Sequence, residues 1–254
     1  MSSIVQHAPG FSIEDAEKIA ADLFGVDGQC DKLPSERDQN FRLKTKDNHD
    51  FVLKIANTLE SFAALELQNQ VMERRGQGTH LHVDGISSIP KVGKTLDGKT
   101  IATVAGRDGQ THFVRLLTYL PGKPFALVKP HDADLLHGLG RFFGQVDHTL
   151  QGYDHPSAHR DFHWDLQHAS RVVGELIKYI ALPEKRDLVT GFLKQFQSHT
   201  EPLLDGLRKS VIHNDGNDYN ILIAPQGMWL NQVSGIIDFG DMVFSHTVNE
   251  LAIV

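Results

Sequence analysis

Residues 211–223 read Val-Ile-His-Asn-Asp-Gly-Asn-Asp-Tyr-Asn-Ile-Leu-Ile, and a second run, Ile236-Ile237-Asp238-Phe239-Gly240, follows downstream. The first contains H-x-D-x-x-x-x-N at His213, Asp215 and Asn220. The second is an Asp-Phe-Gly set behind two isoleucines. Phosphoryl transfer from ATP needs these residue types in this order. An aspartate sits beside the attacking hydroxyl, and an amide oxygen and a second carboxylate hold the metal ions that bridge the phosphates. The competing reading of residues 213–220 is a polar hairpin tip, because Asn, Asp and Gly all tolerate turn conformations. It leaves unexplained why an apolar strand ends in Asp238.

The elements that must position these residues are legible upstream. Ser12 caps a helix, with Asp15 completing a capping-box pair and Gly25 ending it. Residues 40–46 and 50–56 alternate apolar and polar around Asp47-Asn48, which predicts a β-hairpin. A helix is predicted over 59–74. Strand-like runs follow at 88–95, 99–105 and 112–120, separated by turns at Asp97-Gly98 and Asp108-Gly109. After Pro121-Gly122 the pattern changes, and residues 131–150, 162–180 and 185–206 read as helical. The order predicts an α+β chain in two lobes, residues 1–120 and 121–254.

Lys54 lies inside the second hairpin strand, where lysine is disfavoured unless it has a partner. Glu66 stands twelve residues on, in the next helix. A strand lysine held by a helix glutamate orients ATP phosphates in kinases; the alternative is a lysine reaching solvent from a sheet edge. The loop at 33–40 stands where a nucleotide-covering loop belongs. It has no G-x-G-x-x-G pattern, and no Walker A pattern occurs in the chain. Ser35 and its neighbouring amides either bind phosphate oxygens or form an ordinary polar loop. Tyr119 and Leu120 mark the expected lobe junction, where adenine takes main-chain hydrogen bonds. Asp241 is either a further carboxylate near the metals or a cap for the next helix.

Composition narrows the function classes. The 254 residues are 40% hydrophobic and 22% charged, with a net charge of −7 and no Lys/Arg-rich run, which argues against nucleic-acid binding. No apolar run approaches the ~20 residues of a membrane span, and the N-terminus does not read as a signal peptide. The one cysteine, Cys30, leaves no internal disulfide and points to a reducing, cytoplasmic setting. The fifteen histidines lack the spacing of a zinc site and read as solvated or capping residues.

On Lys54, Glu66, His213-x-Asp215-x4-Asn220 and Ile237-Asp238-Phe239-Gly240-Asp241, the chain resembles the aminoglycoside phosphotransferase/choline kinase superfamily. The segments 35–41, 152–156 and 160–165 point to its hydroxylysine-kinase-like branch, which in bacteria is often fused to a class III aminotransferase-like domain. The resemblance covers residues 12–254 and implies a protein-kinase-like fold: an antiparallel-sheet N-lobe and a mainly helical C-lobe. It implies Asp215 as catalytic base, Asn220 and Asp238 as Mg2+ ligands, and Lys54, positioned by Glu66, as the phosphate-binding lysine. The activity implied is transfer of the γ-phosphate of ATP to a hydroxyl of a small amine-bearing molecule, a hydroxylated amino acid or amino alcohol. The rival reading is a non-catalytic nucleotide-binding or pseudokinase module, against which the complete set of motif residues argues. The family continues for further helices beyond the Asp238 segment, whereas this chain closes on Leu251-Ala-Ile-Val254. The expectation is a longer native protein, with an exposed apolar patch that self-association or additional C-terminal structure covers.

Overall fold

The structure, a computed structural model, describes residues 8–74, 82–83, 86–107, 109–224 and 232–254. It divides into two compact units. The first runs up to Gly122 and takes in Ser234–Ile237; the second comprises Lys123–Val233 and Asp238–Val254.

In the first unit, helix α1 (Ile13–Ile19) opens with the reciprocal capping box expected at Ser12. Ser12 Oγ accepts from the Asp15 N–H at 3.1 Å, and Asp15 Oδ2 accepts from the Ser12 N–H at 2.9 Å. It passes into a π-turn at Ala20–Phe24 and stops at Gly25, whose φ of +67° suits glycine. Strands β1 (Gln29–Leu33), β2 (Gln39–Lys44) and β3 (Phe51–Ile55) precede helix α2 (Phe62–Glu73), which Ser61 caps. A two-residue ladder, β4 (His82–Val83) with β5 (Ile86–Ser87), precedes β6 (Ala102–Ala105) and β7 (Thr111–Thr118). The five long strands form one antiparallel sheet in the order β1-β2-β3-β7-β6. Leu53 and Ile55 of β3 are fully buried in a core shared with Phe41, Leu43 and α1, while Lys54 between them is half-buried.

Two predictions change here. Residues 88–95 form no strand. Pro90 has no N–H for a ladder, and Val92 makes only an isolated bridge to Leu117. The sheet edge comes instead from β1, whose Gln-Cys-Asp-Lys-Leu buries only Cys30 and so carries no alternating pattern. Cys30 sits 5% exposed, and burial, followed by the Glu17 and Asp31 carboxylates, pushes its thiol up to about 11. Of the Asp108-Gly109 turn, Asp108 lies outside the described residues.

In the second unit, β8 (Lys123–Pro124) precedes the long helix α3 (Ala133–Leu150). Asp132 caps α3, which buries Leu135, Leu139, Phe142, Phe143, Val146 and Leu150 along one face. The helices expected over 162–180 and 185–206 are interrupted. Short 3-10 turns flank α4 (Ala169–Leu176), and a π-turn at Phe196–Thr200 separates α5 (Pro183–Gln195) from α6 (Glu201–Leu204). Neither α4 nor α5 buries a residue, and Leu176, Tyr179, Leu188 and Phe192 stand exposed. Strands β9 (Lys209–Ile212), β10 (Ile221–Ile223) and β12 (Val243–His246) and helix α7 (Thr247–Ile253) complete the second unit, while β11 (Val233–Ile236), between β10 and β12 in the chain, runs through the stretch that belongs to the first unit. β12 lies antiparallel to β9, with Val243 opposite Ile212, and β10 lies antiparallel to β8. Among the described residues no helix is long and apolar enough to cross a membrane.

Strand β11 delivers the chain to Asp238, and Gly235 sets how closely it approaches its neighbour. The Ile236 N–H donates to the Ser88 carbonyl at 3.0 Å, and a Cβ on Gly235 would stand 2.7 Å from that same oxygen. Backbone cannot retreat as a flexible side chain can. Gly235→Ala is therefore expected to cost about 1–3 kcal/mol, the range for overpacking a core. It should show as a lower urea midpoint with an unchanged slope; an unshifted midpoint contradicts this account.

Candidate active site

The second unit assembles the motif residues. β9 ends at Ile212, and the chain turns through His213, which is fully buried, into Asn214, held in the left-handed region at φ +64°. Asp215 follows, half-buried, with both carboxylate oxygens held. Asn217 Nδ2 donates to Oδ1 at 2.7 Å and Asn220 Nδ2 to Oδ2 at 2.7 Å. Asn220 Nδ2 also donates to the Asp215 main-chain oxygen at 2.9 Å. With its amide hydrogens committed to Asp215, Asn220 has its side-chain oxygen, an acceptor, turned from that pairing. Gly216 is required by packing: a Cβ there would meet the Phe143 ring at 2.7 Å and Val254 at 2.8 Å.

Asp238 occupies the left-handed region at φ +62° and starts a 3-10 turn, Phe239–Asp241, with Gly240 N–H bonded to its Oδ1 at 3.4 Å. Its carboxylate is exposed. Phe239 is buried beneath it and meets the His213 ring edge-on at 4.8 Å, so the two motifs interlock through an aromatic pair. The pKa of Asp215 is raised, first by burial and then by the Asp241 and Asp238 carboxylates, against its two amide hydrogen bonds. The Asp241 and Asp238 carboxylates lie close enough to act on Asp215, and carboxylate and amide oxygens are the hard donors that a divalent cation takes. Among the described residues no three His, Cys, Asp or Glu side chains close on a metal position. A cation here would draw its remaining ligands from phosphate and water.

The first unit holds the other candidates. Lys54 faces Asn40 on β2 and Arg115 on β7 in register. Among the described residues no ion pair is seen between Lys54 and Glu66. Glu66 lies on the exposed stripe of α2 with Phe62, Gln70 and Glu73. The inward face carries Leu65, Gln68 and Asn69, whose oxygens take the buried Arg115 guanidinium: Asn69 Oδ1 at 2.8 Å and Gln68 Oε1 at 2.7 Å. Spacing along the sequence brought Lys54 and Glu66 together; the phase of the helix separates them. Ser35 is exposed in the β1–β2 turn, which Asp38 ties to the end of β3 by accepting from Asn57 N–H and Nδ2. Tyr119 donates its N–H to the Asp50 carbonyl at 2.9 Å and lies under the Arg42 guanidinium at 4.0 Å, while Leu120 is buried.

Sequence reasoning missed Glu250. This side chain, 1% exposed on α7, accepts from the His213 N–H at 2.5 Å and from the Asn214 N–H at 3.3 Å. Burial, and then the Asp147 carboxylate of α3, push its pKa up to about 7 against those two bonds. Burial likewise pushes Asp147 up to about 6, opposed by Arg208. The signal was a lone acidic residue among apolar neighbours near the C-terminus, which spacing alone did not connect to His213.

The two raised carboxyls set a pH dependence. Folded Glu250 keeps its proton to about pH 7, whereas the unfolded chain releases it near 4.5. Between these values the native state binds more protons, so stability falls as pH rises through that window. Glu250→Gln should flatten the decline between pH 4.5 and 7 without abolishing it, because Asp147 shifts in the same direction. Melting curves across that range check this, and parallel curves for the two proteins would rule it out.

A sequence model described as "Phosphotransferase enzyme family" matches residues 30–254. Hydroxylysine kinase of Mus musculus is 32% identical over 267 residues, covering 97% of this chain and 69% of its own length. Hydroxylysine kinase of Bos taurus is 33% identical, with 96% and 68% covered. Among solved structures, an amicoumacin kinase in complex with AMP-PNP, Ca2+ and Ami superposes with a TM-score of 0.66 at 17% identity, over 96% of this chain and 68% of its own. A microcompartment-associated aminopropanol kinase gives 0.61 at 17% identity, over 95% and 73%. The fold is that of these small-molecule kinases, and the chain belongs to the phosphotransferase enzyme family.

Proposed function

We propose that this enzyme transfers the γ-phosphoryl group of ATP to the hydroxyl of hydroxylysine or a closely related amino alcohol, with Mg2+ as the metal. The observation that carries the reading is the Asp215 carboxylate, fixed by Asn217 and Asn220 and crowded by Asp238 and Asp241. Asp215 orients the acceptor hydroxyl and takes its proton as the oxygen bonds to phosphorus and ADP leaves. Asn220 Oδ1 and the Asp238 carboxylate would hold the metal, and a divalent cation held there would supply positive charge against the developing phosphate charge and ease the repulsion among the carboxylates. In the first unit, Lys54 takes phosphate oxygens, Ser35 and its neighbouring amides cover them, and the main chain at Tyr119–Leu120 receives adenine.

Support for an amine-bearing acceptor comes from the hydroxylysine kinases at about one-third identity and from the aminopropanol kinase fold. An excess of carboxylates suits a cationic acceptor. The single cysteine, which leaves no internal disulfide, fits a cytoplasmic setting.

ADP release measured with hydroxylysine, ethanolamine, 1-amino-2-propanol and lysine tests the reading. Hydroxylysine should give turnover, and lysine, which lacks the hydroxyl, none. Asp215→Asn should lower turnover by ~10²–10⁴-fold, the usual contribution of a general base, while leaving ATP binding near wild type. A variant that keeps most of its turnover removes Asp215 from the role of base.

A further inference from the structure

Between α3 and α4 the chain makes an irregular excursion over residues 151–168, and this segment is fastened to the Asp238 turn and the strand after it. Arg160 Nη2 donates to the Gly240 carbonyl at 2.7 Å and to the Met242 carbonyl at 3.0 Å. These two carbonyls flank Asp241 and close the 3-10 turn that Asp238 begins. The guanidinium lies over the Phe162 ring, 4.4 Å from its centroid. Phe162 is itself 8% exposed and packs with Ile212, the last residue of β9 before the His213 turn, and with Val243 of β12.

Further contacts hold the excursion in place. The His159 ring stacks on Phe244 at 4.5 Å. Asp165, 1% exposed, accepts from Ser245 Oγ at 2.6 Å, and Asn249 Nδ2 donates to that same Oγ at 3.1 Å. Arg160 thus rests on a surface anchored to the strand leading to Asp215 and grips the turn leading away from Asp238.

We infer that Arg160 is a positioning residue for the metal-binding turn: it fixes the Asp238 carboxylate for a divalent cation by bridging the carbonyls on either side of Asp241. The inference rests on the reading of Asp238 as a metal carboxylate. Asp238 needs such help, because a non-glycine residue in the left-handed region is held there only by its surroundings. A planar guanidinium suits the task. It stacks on a ring while one NH2 group serves two carbonyls, which a lysine ammonium on a flexible stem does less well. Groups that orient a metal ligand without touching the metal typically change affinity by 10–100-fold when removed.

The test compares wild type, Arg160→Ala, Arg160→Lys and Asp238→Ala. Mg2+ affinity is read by calorimetry in the presence of a non-hydrolysable ATP analogue, and amide exchange over residues 238–243 is read in metal-free protein. Arg160→Ala should weaken Mg2+ by ~10-fold or more and speed exchange in that turn, with the KM for the acceptor unchanged. Arg160→Lys should fall between Ala and wild type in both measurements. If Asp238→Ala weakens Mg2+ and neither Arg160 variant does, the inference fails while the metal site stands. If Asp238→Ala leaves Mg2+ affinity intact, the metal-site reading fails and takes the inference with it. Should the alanine variant not fold, the lysine variant decides, and wild-type affinity with wild-type exchange overturns the role.

Discussion

A buried carboxylate that accepts two main-chain N–H groups is the constraint on which the catalytic unit depends. Glu250 reaches from α7 to the amides of His213 and Asn214, where the chain leaves β9 and has no ladder partner for them. An unmet buried amide costs about as much as a lost hydrogen bond, and Glu250 removes that cost at two consecutive positions. Once those amides are held, Asn214 can adopt its left-handed conformation and Gly216 can press against Phe143 of α3. Asp215 is then set where Asn217 and Asn220 fix both of its oxygens. The acid is placed against its own solvation preference, and Asp147 beside it worsens the electrostatics. The gain is a rigid start to the loop on which the chemistry depends.

The same unit concentrates negative charge where a substrate brings more. Burial first, and then the Asp241 and Asp238 carboxylates, hold the Asp215 carboxyl above its ordinary pKa. On the proposed reading, a divalent cation held among them would lower that repulsion, so the crowding that raises Asp215 would ease once the cation is bound.

The first unit solves a different problem, that of burying a guanidinium. Arg115 is 2% exposed and takes oxygens from Gln68 and Asn69, which fixes the rotation of α2 against the sheet. That rotation decides which side chains of α2 face Lys54, and it turns Glu66 outward. Neutral amide oxygens satisfy the guanidinium while leaving its charge intact.

The motif residues were readable from the chain alone because their chemistry demands particular types at short spacing. Asp215 and Asn220 lie within one turn of chain, and Asp238 follows a strand whose apolar residues announce it. The Ser12 capping box, the β2–β3 hairpin and α3 were equally legible, since local hydrogen bonds and one-sided burial leave a periodic record. What stayed hidden depends on groups distant in sequence. Glu250 meets His213 across 37 positions and Arg160 meets Gly240 across 80. The absent Glu66 pair turned on a helix rotation that Arg115 decides from 47 residues away. Local energetics write themselves into neighbouring residues; the partners of a buried charge or of an unpaired amide are chosen only when the whole chain has packed.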